Sequence, residues 1–145
     1  MEREGGLAKA DLRKRLQKVA WEKAGVIRDG ESLEKALSEF LKMREEELSQ
    51  VSVGAKERVF NREWVQVLEL ENMLTIMEIV CRTSLNRKES RGALYRRDYP
   101  DTDNINWLRN QIVIQKEGKI EIRSEPVVVT KIEPPKKILK YGMTE

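Results

Sequence analysis

The sequence predicts a mainly α protein: an antiparallel three-helix bundle, spectrin-repeat-like, followed by a small β-hairpin and an extended C-terminal tail. Two observations predict it. Apolar residues recur at helical spacing in three successive segments between residues 9 and 86, joined by short polar connections. After residue 90 that period disappears, and alternating β-branched residues flank a Glu-Gly turn signal before a Pro-rich ending. The expected organisation is one domain over 1–145: the bundle over 9–86, a distinct segment over 87–109, and hairpin plus tail over 110–145.

The first helix is expected over 9–24, with Leu12, Leu16, Val19 and Ala20 on one face and Gly25 as its stop. VIRDGES then connects to a second helix over 33–50, carrying Leu33, Ala36, Leu37, Phe40, Leu41 and Leu48, with Asp29 or Ser32 as its cap. Glu45, Glu46 and Glu47 sit at the wrong end for the helix dipole, so fraying is expected there. Asn61 should cap the third and longest helix, with Phe60 and Val65 as a hydrophobic staple. Its broad apolar stripe runs from Trp64 through Leu70, Leu74 and Met77 to Cys81. Trp21, Trp64 and the methionines are expected in the core. Ile112, Ile114, Ile120 and Ile122 should form the hairpin around Glu117-Gly118. Pro134 and Pro135 keep the tail out of any central strand.

Composition narrows the function. The chain is 37% charged and 39% hydrophobic, in the range of a folded globular domain. No apolar run reaches the roughly 20 residues a bilayer crossing needs, so no membrane insertion is expected. Histidine is absent, which removes the commonest general base and metal ligand. The lone cysteine, Cys81, falls on an apolar stripe and is expected in the core. No glycine-rich phosphate loop is present. Catalytic, cofactor and metal residues are therefore not expected in this sequence, and a cytoplasmic location is.

One stretch departs from ordinary amphipathic patterning. Residues 1–50 carry eleven basic and eleven acidic side chains, whereas 87–97 carries five basic (Arg87, Lys88, Arg91, Arg96, Arg97) and one acidic. Tyr99, Pro100, Asp101 and Asp103 follow. As a nucleic-acid patch the strip has Tyr95 and Tyr99 for stacking, but its acidic neighbours would repel phosphate. As an interdomain docking strip its mixed charges make sense: arginines can hold a neighbour's carboxylates bidentately, or pair internally with Asp98 and Asp103. Arg91 is expected to dock. Gly92 should permit a backbone conformation closed to other residues, and Trp107 has the size to anchor the segment.

The stretch ESRGALYRRDYPDTDNINW resembles the C-terminal region of the succinate dehydrogenase and fumarate reductase flavoproteins, related to L-aspartate oxidase and the adenylylsulfate reductase flavoproteins. The resemblance rests on Glu89, Ser90, Arg91, Gly92 and Ala93, then Arg96 or Arg97, Asp98, Pro100, Asp101, Asp103 and Trp107. It extends to GVIRDGESLEKAL, to VLELENMLTIMEIVCRTSLNRKES and to PPKKILKY in the tail. Leu94 stands where the family usually has histidine, and Thr102 where arginine is common.

The resemblance implies a helical domain that follows a large FAD-binding domain and a capping domain, with substrate and flavin sites in those other parts. It implies FAD in the parent flavoprotein and none in this chain. The expected partners are the FAD-binding domain of the same flavoprotein and an iron–sulfur subunit, with no nucleic acid and only peripheral contact with a membrane through a complex. The residues expected to carry docking are Glu89, Ser90, Arg91, Gly92, Arg96, Arg97, Asp98, Asp103 and Trp107. An independent binding module that uses 87–97 for an acidic protein or nucleic acid is the alternative.

Overall fold

A computed structural model describes residues 8–51 and 61–141. Three helices form the body: α1 (Lys9–Ala24), α2 (Gly30–Lys42) and α3 (Arg62–Asn86). Asp29 caps α2 by accepting from the Ser32 amide at 2.8 Å. The Asn61 side chain caps α3 by accepting from the amides of Glu63 and Trp64. These bonds satisfy amide groups that a helix start leaves without partners. Phe60, the proposed half of a staple, lies outside the described residues.

The core follows the sequence stripes. Leu12, Leu16 and Val19 from α1, Leu33, Ala36 and Phe40 from α2, and Leu70, Leu74 and Cys81 from α3 are buried together. Burying such aliphatic side chains stabilises by about 1.5–3 kcal/mol each. Burial also pushes the Cys81 thiol up to about 11, as fits a small apolar filler. The expectation for the tryptophans is overturned: Trp21 is 82% exposed and Trp64 54% exposed. Trp21 lies nine residues beyond Leu12, about two and a half turns on, which puts it opposite Leu12 and on the outer rim of the helix.

α2 starts earlier and ends earlier than expected. At Met43–Glu47 it widens into a π turn, then tightens into a 3-10 turn at Leu48–Gln50. The three glutamates there disfavour a regular α-helical end. Glu47 pairs with Arg15 while Met43 is fully buried and Leu48 packs against the core. Arg44 reaches α3, where it and Arg82 both hold the buried Glu78. Burial raises the Glu78 pKa, but the two arginine hydrogen bonds outweigh it and leave the carboxyl below its ordinary value.

Short strands dress one end of the bundle. β1 (Ile27–Arg28), inside the connection between α1 and α2, pairs in parallel with β2 (Tyr95–Arg96). β3 (Thr102–Asp103) pairs antiparallel with β6 (Ile138–Leu139), so the tail returns to the signature segment. The tail is thus paired at its end, where the sequence pointed only to extended chain.

The hairpin consists of β4 (Arg109–Lys116) and β5 (Lys119–Pro126). Its register sets Val113 opposite Ile122 and Gln115 opposite Ile120, so Ile112 and Ile114 face the other side. Ile120 and Ile122 line a concavity with Leu37 and Leu85 of the bundle. Among the described residues no helix is long and apolar enough to cross a membrane.

Candidate functional site

The signature segment begins where α3 ends, and its charges are folded inward. Glu89 is 1% exposed. It accepts from Arg91 Nε at 2.8 Å and Arg91 Nη2 at 3.0 Å, from the Asp103 amide at 2.7 Å, and from Arg87. One carboxylate therefore holds two guanidinia and a backbone amide, the dense coordination that a buried charge requires. Arg91 also donates to Asn104 Oδ1 at 2.7 Å, and Asn104 passes the connection on to Pro135 O at 3.0 Å. The internal partner of Arg91 is thus Glu89, rather than the carboxylate of Asp98 or Asp103.

Arg96 is the second centre. It is 3% exposed, and its Nη1 donates to the carbonyls of Ser84, Leu85 and Arg87 at 2.8, 3.1 and 3.0 Å. These are carbonyls at and just past the end of α3, two of them left without helical donors, and a cation there also meets the negative pole of the helix. The other edge of the guanidinium grips Asp98, and its face lies 4.8 Å from the Tyr99 ring centroid. Asp98 Oδ2 in turn accepts from the Gly30 amide at 3.1 Å, at the start of α2. One ion pair therefore bridges the end of α3 to the beginning of α2. The hydrogen bond from Arg96 holds the Asp98 carboxyl below its ordinary pKa against the opposing effect of burial.

The backbone of the segment is tied as closely as its side chains. Ser90 Oγ accepts from the Arg96 amide at 2.9 Å and donates to Tyr99 O at 2.7 Å. Arg91 and Leu94 exchange backbone bonds of 2.9 and 3.0 Å across a tight turn. Gly92 sits in that turn at φ +58°, where a side chain would be strained. Thr102 Oγ1 donates to Ser90 O at 2.6 Å. Asp103 Oδ1 accepts from the amides of Ile105 and Asn106 at 2.8 and 2.9 Å, forming the turn before Trp107. Burial pushes the Asp103 carboxyl up, yet these bonds outweigh it and leave its pKa lowered. Trp107 is half-buried with the Arg87 guanidinium 5.7 Å above its ring. Arg87 also donates to Trp107 O at 2.9 Å and Arg109 O at 2.6 Å.

The structure thus brings together eight of the nine residues singled out in the sequence. Arg97 stands apart: its side chain is exposed, and its amide donates to Arg28 O at 2.8 Å in the β1–β2 pairing. Sequence reasoning missed Asn104, which is 7% exposed and carries the link to the tail. Asp-Asn after a proline turn was the available signal. It also missed Lys140 and Tyr141, which both bond Asp101 while the Tyr141 ring sits 4.7 Å from that of Tyr95. Chemically, the arrangement is a cross-linked set of ion pairs whose donors and acceptors face one another. Among the described residues no group of three or more metal-ligating acids or thiols is assembled.

A family model described as "Fumarate reductase flavoprotein C-term" matches residues 13–140. The chain belongs to this family. The chain corresponds to the helical C-terminal domain of these flavoproteins. It is 32% identical over 140 residues to the fumarate reductase flavoprotein subunit of Mycobacterium tuberculosis, covering 96% of this chain and 24% of that protein. It is 32% identical over 127 residues to the succinate dehydrogenase flavoprotein subunit of Rickettsia felis, covering 87% and 21%.

Among solved structures, the E. coli quinol fumarate reductase superposes with a TM-score of 0.83 at 24% identity, covering 93% of this chain and 23% of that one. An adenosine-5-phosphosulfate reductase superposes at 0.77 with 22% identity, covering 87% and 20%. At these identities the two superpositions show the shared fold. The chain spans about a quarter of the length of the relatives it matches.

Proposed function

We propose that this chain acts as the docking domain of an FAD-dependent fumarate reductase or succinate dehydrogenase-type flavoprotein. In that role it packs against the flavin-bearing part of the same flavoprotein. The assembled enzyme exchanges a hydride between FAD and a small dicarboxylate, and passes electrons to an iron–sulfur partner. The observation that carries this reading is the family match across 13–140, with the signature segment folded into a rigid clamp on the bundle.

The clamp supports a positioning role for Glu89, Ser90, Arg91, Gly92, Arg96, Asp98, Asp103 and Trp107. They hold the bundle end in one geometry, so the docking surface is presented preformed. Of the five basic side chains in 87–97, Arg87, Arg91 and Arg96 are committed to internal carboxylates, which leaves Lys88 and Arg97 exposed. That commitment counts against a nucleic-acid or acidic-protein module built on the strip, which would need those charges free.

Titration of FAD into the isolated chain should give no saturable flavin quenching. Co-expression with the flavin-bearing polypeptide of its own flavoprotein should give a co-purifying yellow complex that reduces fumarate with an artificial reductant. Saturable one-to-one flavin binding by the chain alone, or separate elution of the two polypeptides, would overturn the reading.

A further inference from the structure

The same rule that governs the signature segment singles out one cation that breaks it. Among the described residues, every other arginine that is buried or half-buried holds a carboxylate. Arg13 has Glu69, Arg44 and Arg82 share Glu78, Arg87 and Arg91 share Glu89, and Arg96 has Asp98. Arg28 has none. Its Nε donates to Gly25 O at 2.5 Å and its Nη1 to Ser84 Oγ at 2.7 Å, both neutral acceptors. Burial lowers its pKa, and Cys81, whose thiol is pushed up to about 11, is the one ionisable group acting against that. A guanidinium nevertheless stays protonated in a protein, so Arg28 remains a half-buried charge without a counter-ion.

Its setting is apolar. Arg28 lines a groove of about 430 Å³ between α1 and α3, together with Ala20, Trp21, Met73, Ile76 and Val80. The rim is unusually open to solvent for such residues: Trp21 is 82% exposed and Ile76 58% exposed. The apolar surface continues past Arg28, because Val26 and Ile27 are 70% and 55% exposed. Those two residues line a second concavity, with Leu94, Tyr95, Leu139 and Tyr141. An open aromatic anchor, an aliphatic trough and an unpaired arginine in one neighbourhood are the composition of a protein interface centre.

We propose that the α1–α3 groove is the face on which the flavin-bearing part of the flavoprotein docks, through an apolar segment that sets one Asp or Glu carboxylate on Arg28. This rests on the docking reading above and names its surface. The carboxylate would take the Nη edge that Ser84 leaves open and supply the counter-ion the chain itself lacks. A single cation in an apolar trough favours a polypeptide segment over a polyanion, which needs several cations along its path.

Hydrogen exchange of the chain, alone and in complex with the flavin-bearing polypeptide of its own flavoprotein, maps the face directly. Protection is expected over 17–28 and 73–80. Arg28→Gln should weaken association at least tenfold. Because Arg28 also braces Ser84, the double substitution Trp21→Ala with Ile76→Ser is the second arm. Both side chains are mostly exposed, so it should keep the melting temperature of the native chain while weakening association at least tenfold. Protection confined to the hairpin or to 87–107, or a double variant that associates like the native chain, would overturn the groove and leave docking standing. Absence of any association by the native chain would overturn the docking reading and the groove with it. Protection of the groove in a homodimer of the chain alone would give the face to a second copy instead.

Discussion

The bundle and the signature segment are held by opposite kinds of force. In the bundle, Leu12, Leu33, Phe40, Leu70 and Leu74 make the core by excluding water, and their contacts are non-directional. In the signature segment, the most buried side chains are Glu89 and Arg96, and directional hydrogen bonds fix each of them. An apolar core tolerates repacking at conserved volume, whereas a satisfied ionic network does not tolerate the loss of one member. The difference teaches that a run of charge in a sequence need not be a surface.

The largest effect expected is from Glu89→Gln, which leaves Arg87 and Arg91 facing a neutral amide. Urea unfolding should show a loss of about 3–5 kcal/mol, the scale for breaking a buried ion pair. A loss within the range of ordinary surface substitutions would erase the contrast. Leu74→Ala, at a fully buried α3 position, should lose about 2–5 kcal/mol. The same urea unfolding measures it, and a loss below that range would place Leu74 outside the core.

Asp98→Asn should be smaller, about 1–2 kcal/mol at neutral pH, because its carboxylate is partly solvated. Its sign with pH is fixed by the lowered carboxyl pKa of the folded state. The contribution is present above the ordinary carboxylate range and is lost as pH falls through the folded value. Native chain and variant should therefore converge in stability on acidification; curves that stay parallel to the acid limit would separate Asp98 from the clamp. Smallest of all, Trp21→Ala should change the stability of the isolated chain by no more than about 0.5 kcal/mol, as expected for an exposed side chain. A larger loss in thermal melts would return Trp21 to the core.

How much of this was legible in the sequence follows the same division. Helical spacing placed Leu12, Leu16, Leu33 and Phe40 correctly, since periodicity is local and a core needs only one consistent face. It failed for Trp21, where size was read as burial although the residue lies off the stripe. The family was legible in Glu89-Ser90-Arg91-Gly92, but the pairing inside it was not. The donors to Glu89 come from 87, 91 and 103, and the donors to Asp98 from 96 and 30. No spacing rule links such positions; only the folded chain brings them together. Arg28 was passed over because a single arginine in VIRDGES looks like an ordinary connection residue.

The clamp from Arg96 through Asp98 to Gly30 also has a consequence for the order of events in folding. It joins positions 68 residues apart and requires the end of α3 and the start of α2 to be neighbours already. Its closure entropy is met only once the helices have packed, so its formation is expected after the rate-limiting barrier. Weakening it should leave the refolding limb of a chevron nearly unmoved and raise the unfolding limb. On that account the charged end of the domain sets how long the native state lasts, and the apolar middle sets how fast it is reached.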